Sequence, residues 1–426
     1  MTQQLLLITK NYPYNTGEEF LEAEIAYLAD AFEKVVIVAA EVDEKGELTR
    51  ELPSTVQAFT GNPLNSAYYG MALATGIEAK LLKPLLTGYD KARRKASLER
   101  RLYFRYFAQK TANTHDVIQK LFERGVLSPD EPLTLYSYLL HDTAVAALLL
   151  RTLLQREHIP VIARAHRLDL YEEQHPAQYL PLMPWILENI DAVYPASFDG
   201  SAYLNQKFPG FDAKIQTAYL GTPDAGLNPF AVTGQGQRAL NIVSVAPLKP
   251  KKQLGRIIEA LALLEQGTEL PLNWTHFGAG DEEAALRALA AQRLSRSTWS
   301  FEGHATTAVL LGFYRQKQVD VFLSASLAEG LPFSMMQALS FGIPVVAVDA
   351  GAVREIVKDG VSGMLLPAQS TAHDIAQGLL SLINGGAGAY LALRQGARSL
   401  WKQSFDAARN YPAFIEELLS RSQQEY

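Results

Sequence analysis

The chain has 426 residues, of which 48% are hydrophobic and 20% are charged, and it contains no cysteine. Because one hydrophobic core rarely grows past about 300 residues, this length predicts two domains, and the ordinary composition excludes a disordered or fibrous protein. The lack of cysteine excludes disulfides, thiolate nucleophiles and cysteine-bound metals. The net charge of −6, from 39 basic and 45 acidic side chains, is not that of a general nucleic-acid binder.

The first residues, MTQQLLLITK, have no basic region and only a short apolar stretch. No apolar run reaches the roughly 18 residues that a membrane-spanning helix needs. We therefore expect a cytoplasmic protein whose N-terminus forms a strand rather than a signal peptide.

Short apolar runs alternate with longer helical patterns through the first half of the chain. A helix is predicted between Phe20 and Phe32, where apolar side chains recur at helical spacing. The predicted strands are Leu5–Thr9, Lys34–Ala40, Pro132–Tyr138, Pro160–Arg164, Ala192–Ala196 and Lys214–Tyr219. Continuous apolar strands separated by helices indicate a parallel sheet that is covered on both faces.

The same alternation restarts after a stretch rich in proline and glycine, residues 223–239, which we interpret as a linker. The second set of predicted strands is Leu240–Ala246, Leu272–Phe277, Thr298–Glu302, Val319–Ala325, Ile343–Val348 and Met364–Leu366. The predicted fold class is therefore α/β, with two Rossmann-like domains, residues 1–222 and 240–395, facing each other across a cleft.

Residues 80–110 carry ten lysines and arginines but only two acidic side chains, Asp90 and Glu99. The basic residues are Lys80, Lys83, Lys91, Arg93, Arg94, Lys95, Arg100, Arg101, Arg105 and Lys110. A basic amphipathic segment of this kind binds anionic lipid surfaces in some proteins and is a solvated helical face in others. Both interpretations stay open, and the first predicts peripheral contact with the inner face of a membrane.

The most informative stretch runs from Ser324 to Gly363. A predicted strand ends near Ala325, a loop with Glu329 and Gly330 follows, and a helix begins near Phe333. The first turn of a helix binds anions through its free N–H groups, and a glycine lets a ligand approach the backbone. Glu329 is predicted at the carboxyl end of a strand, where α/β sheets bind ligands.

This stretch resembles the donor-site signature of retaining glycosyltransferase family 4, which has the GT-B fold. The matching positions are Glu329, Gly330, Ala338, Gly342, Pro344, Val345, Gly351 and Glu355. The sequence departs from the signature at Gln337, where the family has a second glutamate, and at Ala352, where it has a glycine. The resemblance implies that Glu329 contacts the donor sugar and Gln337 the nucleotide ribose, with Gly330, Leu331, Pro332 and Phe333 beside the donor.

Other segments are similar to the same family. Ser244–Leu248 followed by Lys251 and Lys252 resembles its first nucleotide-domain loop, although Ala246-Pro247 replaces the usual Gly-Arg. The resemblance implies that Lys252 meets the donor diphosphate, with Lys249 or Lys251 as a substitute for the absent arginine. The turn from Phe277 to Gly280 implies donor contacts at Gly278 and Gly280. Residues 396–426 resemble the last helices of the family, which pack back on the N-terminal domain.

The first domain also resembles the polysaccharide-building bacterial members of this family. His166, in the segment Arg164–Tyr171, is implied as a residue that contacts the donor sugar or the transferred centre. Gly17 is implied near the donor phosphate. Glu19 and Asp169 are weaker acceptor candidates, because an acidic residue near a helix start also stabilises the helix without any ligand.

The resemblance therefore implies a retaining glycosyltransferase of the hexosyltransferase type, in bacterial polysaccharide or glycoconjugate synthesis. A nucleotide-diphosphate sugar would be its donor substrate, a glycan or lipid-linked sugar its acceptor, and no cofactor or nucleic acid would take part. The chain has no Asp-x-Asp triplet, which favours a metal-independent reaction. A nucleotide-sugar epimerase of the same shape, and a non-catalytic partner subunit with altered residues such as Gln337 and Ala352, remain alternatives.

Overall fold

The structure, a computed structural model, describes residues 3–64, 97–229 and 239–423. It divides into two compact units, the first formed by Met1–Tyr219 with Tyr411–Tyr426 and the second by Leu220–Asn410. The segment that was interpreted as C-terminal helices is thus split, with 396–410 in the second unit and 411–426 in the first. Part of the interpreted linker, 230–238, lies outside the described residues.

The first unit is built on a six-stranded sheet in which every pairing is parallel. Its strands are β1 (Gln4–Thr9), β2 (Lys34–Ala39), β3 (Val56–Thr60), β4 (Leu133–Ser137), β5 (Val161–Ala165) and β6 (Ala192–Pro195). Its helices are α1 (Leu21–Ala31), α2 (Leu98–Glu123), α3 (Asp142–Leu154), α4 (Arg167–Leu170), α5 (Met183–Asn189) and α6 (Phe198–Lys207). The strand order 3-2-1-4-5-6 reverses between β1 and β4.

The second unit repeats this plan, with the strand order 12-11-10-7-8-9 and parallel pairing throughout. Its strands are β7 (Leu240–Val245), β8 (Leu272–Phe277), β9 (Thr298–Phe301), β10 (Val321–Ser324), β11 (Val345–Val348) and β12 (Gly363–Leu366). Its helices are α7 (Leu254–Gly267), α8 (Glu283–Arg293), α9 (Thr307–Gln316), α10 (Phe333–Ser340), α11 (Val353–Ile356), α12 (Ala372–Asn384) and α13 (Gly386–Ser404). The last helix, α14, spans Ala407–Gln423.

The continuous apolar strands explain both sheets. Val35–Ala39 of β2 and Val345–Val348 of β11 are buried along their whole length, as parallel strands covered on both faces are. In the first unit one hydrophobic cluster packs α2, α3 and α5 on one face, and a second packs α1 and the end of α14 on the other. The prediction of two α/β domains with Rossmann-like sheets is confirmed.

Two details differ from the sequence-based expectation. The prediction of a strand at Lys214–Tyr219 is wrong, because residues 212–214 form a 3-10 turn and Ile215 makes only an isolated bridge to Val193. Strand β3 was not predicted, and its pattern is weak because only Val56 of its five residues is fully buried. Within the described ranges, no helix combines the length and the apolar character that a membrane crossing requires.

Candidate functional site

The second sheet places two loops beside its topological switch point. Strands β7 and β10 are neighbours, and the order of the sheet reverses between them. Loops that follow such a pair diverge, which opens a crevice at the carboxyl ends of the strands where α/β sheets bind ligands. The loop after β7 carries Lys252, and the loop after β10 carries Glu329.

Lys252 and Glu329 form an ion pair across this switch point. The Lys252 ammonium donates to Glu329 Oε1 at 2.5 Å, and both side chains are 13% exposed. The backbone joins the same two loops, since Leu327 N donates to Lys251 O at 2.9 Å. The structure therefore brings together the two residues that the family resemblance assigns to the donor diphosphate and the donor sugar.

Glu329 leads directly into helix α10. Pro332 is the N-cap of this helix, and Gly330 and Leu331 are partly exposed just before it. The first N–H groups of a helix have no acceptor inside the helix, so Phe333 and Ser334 begin a turn suited to an anion. Gln337 is buried on the second turn, and its backbone carbonyl oxygen accepts from Ser340 Oγ at 2.7 Å.

Gly351, in the loop after β11, fixes the backbone of Glu329 from the other side. Its φ is +60°, and a Cβ at this position would lie 2.1 Å from the carbonyl oxygen of Glu329. Only glycine permits this approach without moving one of the two loops. The neighbouring Ala352 is fully buried at the N-cap of α11.

Gly278 and Gly280 approach the backbone of a neighbouring loop. A Cβ on Gly278 would lie 1.8 Å from Ala246 O, and one on Gly280 would lie 2.4 Å from Leu248 O. Leu248 N also donates to Ala279 O at 3.0 Å. The packing of these two loops is therefore sufficient reason for glycine at both positions.

A buried hydrogen-bond chain, which no motif in the sequence predicts, holds the Ala246 loop. Trp274 Nε1 donates to Ser244 Oγ at 2.8 Å, Ser244 Oγ lies 2.8 Å from His276 Nδ1, and His276 Nε2 lies 3.0 Å from Ala246 O. Because a carbonyl can only accept, Nε2 carries the imidazole proton and Nδ1 accepts from the serine. Burial lowers the pKa of His276 to about 4, so the ring is neutral at pH 7. The polar residues Ser244 and His276, facing each other on adjacent apolar strands, were the available signal.

In the first unit, the carboxylate of Glu18 holds the loop after β1 through hydrogen bonds to the backbone. Glu18 accepts from the backbone N–H groups of Asn11 at 2.7 Å, Tyr12 at 2.8 Å and Lys10 at 3.1 Å. Gly17 has a φ of +107°, and its N–H donates to Glu19 Oε1 at 3.0 Å. The N–H of Gly17, which the resemblance places near the donor phosphate, is therefore bonded to Glu19, and the N–H groups of residues 10–12 are bonded to Glu18.

His166 follows β5 and lies between two aromatic rings. Its ring centroid is 5.3 Å from that of Phe20 and 5.0 Å from that of Tyr138. Burial, together with the nearby charge of Arg164, lowers the pKa of His166 to about 3, so its imidazole is neutral. The ring is hydrogen-bonded to the backbone of Tyr138, while Nε2 is buried with no hydrogen-bond partner among the described residues. Nε2 is therefore the ring nitrogen that remains for a hydrogen bond with a ligand.

Asp169 is buried and ties two loops together. Its carboxylate accepts from the backbone N–H of Leu140, after β4, at 2.6 Å and from that of His166, after β5, at 2.8 Å. Burial raises the pKa of Asp169 to about 7, against the opposing effect of these N–H bonds. The side chain therefore positions the backbone of His166.

The basic segment 80–110 is described only from residue 97, and Lys80 through Lys95 lie outside the described residues. Ser97 caps helix α2, and Arg100 donates to the carbonyls of Ala177 and Gln178. Lys110 is 14% exposed and is paired with Glu41 and Asp142. These two basic residues are therefore engaged inside the first unit.

Comparison with solved structures places this fold in a known class. HepE of Anabaena, solved in complex with UDP and glucose, superposes with a TM-score of 0.63 over 99% of this chain and 100% of that one, at 16% identity. At this identity the likeness shows the fold alone. Two Rossmann-like units with this strand order define the chain as a two-domain α/β protein with the GT-B fold.

A family model matches the sequence of most of the second unit. Residues 230–399 match the sequence model of the family described as glycosyl transferases group 1. The amylovoran biosynthesis glycosyltransferase AmsK of Erwinia amylovora is 35% identical over 162 residues, which cover 35% of this chain and 37% of AmsK. The putative colanic acid biosynthesis glycosyltransferase WcaL of Escherichia coli is 30% identical over 225 residues, 50% of this chain and 53% of WcaL. The chain thus spans about half the length or less of the curated relatives it matches.

Proposed function

We propose that this chain is a retaining glycosyltransferase that moves a sugar from a nucleotide-diphosphate sugar to an acceptor hydroxyl in bacterial polysaccharide or glycoconjugate synthesis. The observation that carries the proposal is the Lys252–Glu329 pair, a cation and a carboxylate side by side at a sheet switch point and next to a helix N-terminus. The names of AmsK and WcaL, both polysaccharide-biosynthesis glycosyltransferases, support the same substrate class.

Residues of the second unit would stabilise the nucleotide diphosphate as it leaves the sugar. Negative charge develops on this leaving group as the bond to the sugar breaks. Lys252 offers an ammonium, and the first turn of α10 offers backbone N–H groups, to stabilise that charge. A bound diphosphate would take Lys252 from Glu329, whose carboxylate then accepts hydrogen bonds from sugar hydroxyls. Gln337 would contact the ribose through its amide.

His166 of the first unit would contribute a neutral imidazole that contacts the substrate. Its Nε2, which has no partner among the described residues, forms a hydrogen bond with a hydroxyl of the substrate, and the Phe20 and Tyr138 rings hold the imidazole in place. We assign no general base, because in a retaining transfer the leaving phosphate takes the acceptor proton on the same face. NMR of the product tests retention directly, since the anomeric configuration of the transferred sugar would match that of the donor. Activity that persists in EDTA would support metal independence.

The first experiment is a thermal-shift panel with UDP, GDP, ADP and their common sugar conjugates, followed by a transfer assay with each conjugate that binds. HepE binds UDP in its solved complex, so UDP is the expected nucleotide. A ligand at about 100 times its Kd stabilises the fold by about 2.7 kcal/mol, which gives a clear shift in Tm. Failure of every nucleotide to bind would contradict the proposal, and binding without turnover would favour a non-catalytic partner subunit.

Substitutions at the ion pair test the site itself. We expect Lys252→Ala and Glu329→Gln each to lower kcat/KM by at least about 10-fold, which is ~1.4 kcal/mol of transition-state stabilisation. Glu269→Gln is the matched control, because Glu269 pairs with Arg296 in the same unit and is 91% exposed. Unchanged kcat/KM in both site variants would contradict the assignment.

Peripheral membrane contact through residues 80–110 is a separate proposal, and it would hold the protein at the inner face of the membrane beside a lipid-linked acceptor. Its support is the excess of basic side chains in this segment. Binding to phosphatidylglycerol vesicles that weakens with salt, with no binding to phosphatidylcholine vesicles, is the expected result. Equal binding to both vesicles, or to neither, would contradict it.

A further inference from the structure

The first unit buries an ion pair that the proposed function does not use. Glu24 of α1 and Arg164 of β5 are both fully buried, and Arg164 Nε lies 3.3 Å from Glu24 Oε2. The guanidinium also lies 4.1 Å from the centre of the Phe414 ring and donates to Ala218 O at 2.7 Å. A buried ion pair is weak evidence for stability, because the desolvation of two charges offsets their attraction. A better attested role of such a pair is to fix the arrangement of the residues around it.

Two tyrosine hydroxyls bind the carboxylate of this pair. Tyr136 Oη donates to Glu24 Oε1 at 2.7 Å, and Tyr138 Oη donates to Glu24 Oε2 at 3.2 Å. Burial raises the pKa of both tyrosines well above the ordinary value, so both hydroxyls keep their protons and donate. The Glu24 carboxylate is thus held by two hydroxyls and by the Arg164 guanidinium.

Tyr138 connects this buried network with His166. It directly follows β4, and its ring centroid lies 5.0 Å from that of His166 and 5.6 Å from that of Phe20. The backbone of Tyr138 is also hydrogen-bonded to the imidazole. The ring of Tyr138 is therefore bonded to Glu24 at its hydroxyl end while it packs against the imidazole.

Tyr136 provides a comparison within the same network. It lies two residues before Tyr138, it is equally buried, and its hydroxyl binds the same carboxylate. Among the ring contacts of the described residues, Tyr138 packs against His166, whereas Tyr136 packs against Tyr138 at 5.8 Å and Phe414 at 5.6 Å. The two tyrosines therefore share the bond to Glu24 and differ in the contact with the imidazole.

We propose that Tyr138 is a positioning residue for His166, and that the buried Glu24 carboxylate fixes the Tyr138 hydroxyl so that the imidazole presents Nε2 in one orientation. Nε2 is the ring nitrogen without a partner among the described residues. The inference rests on the proposed function for the substrate hydroxyl that Nε2 meets. The fixation of the imidazole itself does not depend on that function.

Tyr138→Phe tests the proposal, because it keeps the ring that fills the core and removes only the hydroxyl. With the donor found in the nucleotide panel, we expect kcat/KM to fall at least about 5-fold, mainly through kcat. Tyr136→Phe is the matched control, because it removes the other hydroxyl from the same carboxylate. It should lower the Tm by a similar amount and change kcat/KM less than about 2-fold. An equal loss of kcat/KM in the two variants would overturn the proposal.

A double-mutant cycle tests whether Tyr138 acts through His166. In a His166→Ala protein the imidazole is gone, so Tyr138→Phe should cause no further loss of kcat/KM. A loss as large as in the wild-type background would assign Tyr138 a role independent of His166 and would overturn the proposal.

NMR relaxation of the His166 ring is a readout that needs no substrate. It reports the motion of the ring C–H bonds on the picosecond-to-nanosecond timescale. We expect Tyr138→Phe to lower their order parameter and Tyr136→Phe to leave it unchanged, and equal values in all three proteins would overturn the proposal. A lower value in Tyr138→Phe, from a protein that transfers no sugar, would support the positioning role while contradicting the proposed function. The two failures are therefore distinguishable.

Discussion

Asp169 shows how one buried carboxyl group joins two loops of the first unit. Its ordinary pKa of 3.8 applies to the unfolded chain, whereas burial raises the pKa to about 7 in the fold. Between these values the folded protein holds a proton that the unfolded chain has released. The contribution of Asp169 to the free energy of unfolding is therefore fully present below about pH 4 and is lost as pH rises to about 7.

This difference predicts a pH-dependent effect of Asp169→Asn. Because asparagine does not titrate, we expect the loss in unfolding free energy caused by the substitution to be largest near pH 4. The loss should shrink with pH by about 1.4 kcal/mol for each unit at most, and level off above pH 7. Denaturant unfolding of both proteins across this range measures it. A loss that stays constant, or one that grows with pH, would contradict the raised pKa.

Candidate site residues that lie within a recognisable sequence motif could be predicted from the sequence. Residues outside any motif could not. Lys252 and Glu329 were selected from two separate stretches of sequence, and they lie within 2.5 Å of each other. Glu24 was not selected, because the local sequence shows only an acid in the first turn of a helix. Its partners Tyr138 and Arg164 are distant in sequence and meet it only in the fold.

At the scale of elements, the loop after β11 holds the loop that carries Glu329. Gly351→Ala would place a Cβ 2.1 Å from Glu329 O and would displace this backbone. We expect kcat/KM to fall at least about 10-fold, since the proposed contact of Glu329 with the donor sugar depends on the position of this backbone. Steady-state kinetics with the donor found in the nucleotide panel measures the effect.

Gly360→Ala is the matched control for this substitution. Gly360 has a φ of +69°, close to the +60° of Gly351, but a Cβ there would meet nothing within 4 Å. Both variants therefore carry similar backbone strain, and only Gly351→Ala adds the collision with Glu329. An equal loss of kcat/KM in the two variants would attribute the effect to strain and contradict the positioning role of Gly351.

Helices and strands could be predicted where their burial produces a recognisable pattern of apolar residues in the sequence. Strands such as β2 and β11 are continuous apolar runs because both of their faces are covered, and these were located to within a residue or two. Edge strand β3 has only one buried residue and leaves no such run. Lys214–Tyr219 contains the β-branched and aromatic residue types that strands favour, yet it forms no ladder, because pairing depends on the neighbouring strand as well as on the segment.

At the scale of the whole molecule, the order of elements along the chain predicted two α/β domains, and the two parallel sheets confirm it. The return of the end of the chain to the first domain was expected from the family resemblance and not from the local sequence. Phe414, Ile415 and Leu418 of α14 pack in a core cluster with residues of β1, β2 and α1, roughly four hundred positions away. Such a return of the chain is not encoded by local periodicity.

Because α14 packs on the first unit, its side chains contribute to the stability of that unit. Phe414 is 4% exposed, its ring centroid lies 5.6 Å from that of Tyr136 and 5.1 Å from that of Tyr194, and the buried Arg164 guanidinium lies 4.1 Å from its centre. Phe414→Ala removes these contacts and leaves a cavity beside a buried cation. We expect it to lower the free energy of unfolding by about 3–5 kcal/mol.

Phe198→Ala provides the comparison within the same unit, because Phe198 is 65% exposed and should cost no more than about 0.5 kcal/mol. Calorimetry separates the two units where they unfold in separate transitions. Phe414→Ala should then lower the Tm of the first unit, whereas the UDP-induced shift should persist, since Lys252, Glu329 and α10 all belong to the second unit. A Phe414→Ala protein with unchanged Tm would show that residues 411–426 contribute no stability to the first unit. Loss of the UDP shift in a protein that is still folded would instead contradict the assignment of nucleotide binding to the second unit.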